Sequence, residues 1–119
     1  MIQPQEIRIG NYVEYNGEII KLDGSLLACY IQNELDYPLN QIPLTEEILL
    51  KFGFEIEDEE ENILVLKIPS ELGYAELKYK NNELYLYDGD RAKIGIKIEY
   101  AHRLQNFYYE LKGEQLTFK

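Results

Sequence analysis

The stretch YAELKYKNNELYLYDG, residues 74–89, alternates apolar and polar side chains on both sides of an Asn-Asn pair. Strand side chains point to opposite faces with a period of two, so this alternation demands a sheet with one covered face and one wet face. A turn at Asn81-Asn82 sets Lys80 opposite Glu83, Lys78 opposite Tyr85 and Leu77 opposite Leu86. Ala75, Leu77, Tyr79, Leu84 and Leu86 then share the covered face, while Glu76, Lys78, Lys80, Glu83, Tyr85 and Tyr87 share the wet one. A slip of one residue would exchange the two sets, so the register is strongly specified.

Neighbouring segments extend this hairpin into an antiparallel meander. ILVLKI (63–68) reads as a strand ended by Pro69. After a turn at Asp88-Gly89-Asp90, KIGIKIE sets Ile94, Ile96 and Ile98 against Lys93, Gly95, Lys97 and Glu99, a further strand with one wet side.

The N-terminal part carries a second hairpin signal, Asn16-Gly17 between NYVEY and EIIKL. Both positions of a type I′ turn need positive φ, which Asn and Gly tolerate. The turn places Tyr15 opposite Glu18, Val13 opposite Ile20 and Asn11 opposite Leu22, with Val13, Ile20 and Leu22 on the core side. LLACYI (26–31) is expected as the third strand of a small SH3-like half-barrel.

A polar, proline-bounded connector (32–43) leads to a short helix that starts at Thr45 as N-cap. Glu46 and Glu47 suit the helix dipole in its first turn, and Gly53 supplies a left-handed C-terminal position beyond which Phe54 folds back on Leu49. EIEDEEE (55–61) holds six acids in seven positions and reads as a solvated turn or loop. Its spacing lacks the alternating ligands and turn glycine of a calcium loop. A helix of about three turns from Tyr100 is closed by Gly113, and QLTFK is expected as a short final strand.

These elements define an α+β fold: an N-terminal β lobe, a short helix, an antiparallel meander and a C-terminal helix packed on the meander's apolar face. The length of 119 residues suits a single domain, 1–119, with sub-lobes at 1–43 and 44–119.

Composition narrows the function classes. With 22 acidic against 12 basic residues the net charge is −10, and no basic cluster is present, so direct nucleic-acid binding and attraction to an anionic membrane are both disfavoured. Cys29 is the single cysteine, so no disulfide can form within the chain, and the expected setting is the cytoplasm. The start MIQPQEIRIG has neither the basic nor the apolar region of a leader, and no apolar run reaches the roughly 18 residues of a spanning helix. GxGxxG, GxxxxGK, GxSxG, HExxH and CxxC are all missing, so no cofactor or metal is expected.

Two surfaces stand out. On the C-terminal helix, Tyr100, Ala101, Leu104, Phe107, Tyr108 and Leu111 fall on one side, and His102, Gln105, Asn106 and Tyr109 on another. This places His102, the single histidine, outside the core, in an uncharged polar stripe between Arg103 and Glu110. No Ser, Cys or second His lies nearby to complete a nucleophilic or metal constellation. The other surface is the wet side of the meander at Tyr85 and Tyr87, where tyrosine's apolar ring and polar tip suit an interface, and where packing against Lys78 is an equal explanation.

Three segments, RIGNYV (8–13), IPLTEEILLKFGFE (42–55) and YAHRLQNFYYELKGEQL (100–116), resemble, in order and spacing, a group of small proteins of unassigned activity encoded by Bacteroides-type bacteria and their phages or integrated elements. Those proteins have a RIGNxV start, a PLTEEWLLKFGF block and a closing HxLQNLYxxLTGEEL block. Ile48 stands where Trp is common there, and Lys112 where Thr is. The resemblance implies a mobile-element accessory protein of the bacterial cytoplasm and assigns no catalytic residue.

The leading expectation is a non-enzymatic module that binds another protein through His102, Gln105, Asn106, Tyr109, Tyr85 and Tyr87. Alternatives are an acidic DNA mimic that blocks a nucleic-acid-binding protein, a small enzyme centred on His102, and a ligand-binding β lobe. Unpaired edges of the meander also allow a homo-oligomer.

Overall fold

The computed structural model describes residues 2–70, 73–88 and 92–119. They form two compact units: residues 1–44 with 99–117, and residues 45–98 with 118–119. Each unit contains one antiparallel sheet.

In the first unit, β1 (Tyr12–Tyr15) and β2 (Glu18–Lys21) form the expected hairpin, pairing Tyr15 with Glu18 and Val13 with Ile20. Asn16 and Gly17 both take positive φ, 51° and 82°, as a type I′ turn requires. Leu22 N–H donates to Asn11 C=O at 2.8 Å, which continues the pairing beyond the strands.

The third strand is not LLACYI. Residues Gly24–Ile31 are a helix, α1, and the sheet is completed by the two-residue β3 (Leu39–Asn40) in the order β2-β1-β3. The Asp23 side chain caps α1 by accepting from Leu26 N–H at 2.8 Å, a start signal immediately before the apolar run. Leu26, Leu27 and Tyr30, at helical spacing, pack against a core of Ile2, Ile7, Val13, Leu22 and Leu39. A six-residue apolar run carries no period of its own, so the cap decides.

The C-terminal helix, α3 (Ala101–Lys112), belongs to this same unit, where it lies against β1, so grouping it with the meander is corrected. Its entry is held by backbone: Leu44 N–H donates to Glu99 C=O at 2.9 Å and Ala101 N–H to Ile42 C=O at 2.8 Å. Gly113 closes it at φ 76°, as expected.

In the second unit, Thr45 caps α2 (Glu46–Lys51) by accepting from Ile48 N–H, at 3.2 Å. Gly53 at φ 99° and the Phe54 N–H to Leu49 C=O bond, 3.1 Å, complete a Schellman ending. The sheet runs β4 (Glu55–Asp58), β5 (Ile63–Ser70), β6 (Gly73–Lys80), β7 (Glu83–Asp88), β8 (Ala92–Ile96) in sequence order. The central register is as read from the alternation: Lys80 with Glu83, Lys78 with Tyr85, Leu77 with Leu86. Asn81 and Asn82 adopt φ 54° and 62°. Leu64, Ile68, Leu77 and Leu84 are buried together on one face.

Four expectations in this half of the sequence are corrected. The acidic run begins as an edge strand, β4, bulged between Ile56 and Asp58, because pairing with β5 satisfies its backbone while the carboxylates stay wet. Pro69 lies inside β5, not beyond it. Ile94, expected inside, is 52% exposed on the outermost strand. QLTFK is no strand: Lys119 N–H donates to Lys51 C=O at 2.7 Å and the Phe118 ring meets Phe52 at 4.8 Å between centroids. The turn expected at residues 89 and 90 lies outside the described residues.

Candidate functional site

The polar side chains of α3 do not form an open stripe. His102 and Gln105 are 1% and 3% exposed, whereas Leu111, expected to pack, is 44% exposed. The buried arc of the helix is therefore Ala101, His102, Leu104 and Gln105, rotated toward the polar side of the sequence pattern. The reason lies in hydrogen bonds that hydrophobic spacing cannot register.

Gln105 uses its whole amide. Its Oε1 accepts from Tyr12 N–H at 2.8 Å, and its Nε2 donates to Gly10 C=O at 3.0 Å and Leu116 C=O at 2.9 Å. One turn along the same side, Asn106 Oδ1 accepts from Asn11 Nδ2 at 3.0 Å, and Asn106 Nδ2 donates to Glu6 C=O at 3.0 Å. Asn11 Oδ1 in turn accepts from Arg8 N–H at 2.7 Å. Gln115 Nε2 donates to Ile9 C=O at 2.9 Å. Four amide side chains thus clasp residues 6–12 to the last helix and the segment after it, satisfying backbone groups that no sheet partner reaches. Gly10 sits at the centre with φ 97°, and a Cβ there would run into the Gln115 side chain.

His102 stands apart from this network. Among the described residues neither ring nitrogen has a hydrogen-bond partner, and the ring stacks beside Tyr100 at 6.2 Å between centroids. Burial lowers its pKa below the usual 6.5; the nearby Glu6 opposes that shift and Arg103 adds to it. Glu6 and Arg103 form an ion pair. The imidazole is a neutral core group, and the expectation that it lies outside the core is corrected.

Over the clasp opens a groove of ≈ 440 Å³, lined by residues that include Ile7, Ile9, Leu27 and Tyr109 with the Gln105 and Asn106 amides. Ile9 and Tyr109 are 55% and 45% exposed. Arg8 and Glu110 face each other at 3.4 Å, both largely in solvent, where such a pair contributes little to stability. His102 does not line this groove. Gln105, Asn106 and Tyr109 line one groove, and Ile7, Arg8, Ile9, Leu27 and Gln115 join them unforeseen. The available signal for these was the co-occurrence of neutral amides in both RIGNYV and HRLQNF.

Tyr85 and Tyr87 lie in the other unit. Both are half-buried; Lys78 Nζ sits 5.0 Å from the Tyr87 ring centroid, and Tyr85 donates to Glu83. Lys78 also bonds Glu57 at 3.1 Å, and that bond raises its pKa above the usual value, against the opposing effect of its burial; the charges of Glu57, Glu76 and Tyr87 add to the rise. Lys80 holds Glu61 at 3.0 Å. This cross-strand packing accounts for the two tyrosines without a ligand.

The class is therefore an α+β protein with two small antiparallel sheets and an amide-floored apolar groove. No protein-family profile, curated protein or solved structure matches the chain. Among the described residues no helix is long and apolar enough to cross a membrane, and no cluster of three or more metal-ligating side chains occurs.

Proposed function

We propose that the chain is a non-enzymatic accessory protein of a phage or mobile element, working in a bacterial cytoplasm, that binds a partner protein through the groove over the amide clasp. The observation that carries this reading is the contrast between the walls and the floor. Exposed Ile9 and Tyr109 stand above amides whose hydrogen bonds are already made internally. A groove without unmet polar groups selects by shape and apolar contact, and Tyr and Arg at its rim are residue types that anchor protein interfaces.

The enzyme alternative needs His102 in a pocket with acids or Cys29, and His102 is buried and does not line the groove over the clasp. The DNA-mimic alternative needs acids in rows at phosphate-like spacing, and in the acidic run Glu57 and Glu61 are instead drawn to Lys78 and Lys80.

Selection of a displayed peptide library against the whole protein tests the reading. Selected peptides should share an apolar anchor, lose binding to Ile9→Asp and Tyr109→Ala, and keep binding to Tyr85→Ala. Peptides that bind all three variants equally would place recognition elsewhere.

A further inference from the structure

The two outer strands of the five-stranded sheet differ in charge. β4 reads EIED and runs on into Glu59, Glu60 and Glu61, whereas β8 reads AKIGI and is followed by Lys97. Among the described residues each is paired on one side only, leaving a row of backbone N–H and C=O groups that a further strand can use. Each also exposes an isoleucine on the face that buries Leu64, Leu77 and Leu84: Ile56 at 47% and Ile94 at 52%. Glu55 and Lys97 are both exposed.

We propose that these edges recognise each other between copies of this chain, β8 of one adding to β4 of the next so that the sheet continues head to tail. Every neighbouring pair in the sheet is antiparallel, so β4 and β8 point the same way. The join that keeps both faces continuous is then parallel, with Ile94 beside Ile56 on one face. Symmetric pairing is disfavoured by charge: β8 on β8 joins two basic segments, and β4 on β4 joins two acidic ones. A contact between unlike edges repeats without closing at two copies. The strands are short, so the association is weak and weakens further with salt.

Sedimentation equilibrium of the full chain over a wide concentration range, at low and high salt, tests this. The expected result is a weight-average mass that rises steadily from 14.1 kDa and passes the dimer value at low salt. Lys93→Glu/Lys97→Glu makes both edges acidic, and Glu55→Lys weakens the acidic edge. The double lysine variant alone should remain monomeric, Glu55→Lys should associate more weakly than the parent, and adding the double lysine variant to the parent should shorten its assemblies, since only the variant's β4 still meets a basic β8. Circular dichroism matching the parent shows that the variants fold. A parent that stays monomeric at the highest concentration, growth that stops at a dimer, or variants that associate as the parent does would each overturn the proposal.

Discussion

Asn11 and Asn106 lie 95 positions apart in sequence and join side chain to side chain at 3.0 Å. With the neighbouring Gln105 bonds, this link unites the segments RIGNYV (8–13) and HRLQNF (102–107). RIGNYV supplies backbone groups and one amide, and HRLQNF supplies side chains that bond them.

Gln105→Ala removes one acceptor and two donors from a buried position, with the bonds they make to Tyr12 N–H, Gly10 C=O and Leu116 C=O. The expected loss is about 2–4 kcal/mol in urea unfolding, against less than ~0.5 kcal/mol for Tyr109→Ala at the exposed rim.

The lowered pKa of His102 gives stability a definite pH dependence. The unfolded chain takes up a proton near pH 6.5 and the folded chain only at lower pH, so stability is full above 6.5 and falls as acid is added through that window. The slope reaches at most about 1.4 kcal/mol per pH unit. Unfolding curves from pH 8 to pH 5 should show the decline in the parent and a smaller one in His102→Leu.

Gly10→Ala imposes a side chain at φ 97° and displaces Gln115 from Ile9 C=O. Thermal unfolding should show a loss of about 1–3 kcal/mol, most of it retained when Gln115→Ala is added, since the backbone conformation remains the larger cost.

At the second hairpin, Asn82→Gly relieves a positive φ of 62° and should raise stability by up to ~1 kcal/mol, while Asn82→Val should lower it by about 1–2 kcal/mol. Both changes are readable as shifts of the denaturation midpoint at constant slope.

Both hairpin registers, the Thr45 and Gly53 helix ends and the Gly113 stop were legible because each rests on local chemistry: a turn that needs positive φ, a cap, a period of two. LLACYI was not legible as α1, since the deciding group, Asp23, lies outside the apolar run. The rotation of α3 was hidden for a different cause. Hydrophobic spacing sorts Gln105 and His102 to the wet side, but Gln105 is drawn inside by partners up to 95 positions away. Of the candidate site, the α3 amides could be named from sequence, and the groove's opposite wall could not, because it is assembled by the clasp.

The chain leaves its first unit at Leu44 and returns at Glu99, and the two points are hydrogen-bonded to each other at 2.9 Å. During synthesis the N-terminal sheet therefore emerges well before the helix whose Gln105 bonds Tyr12 N–H and Gly10 C=O. The stretch 45–98 is inserted like a cassette whose ends meet. Because Phe118 and Lys119 reach Phe52 and Lys51 within it, any sequence exchanged for this stretch must also supply a new seat for the C-terminal pair.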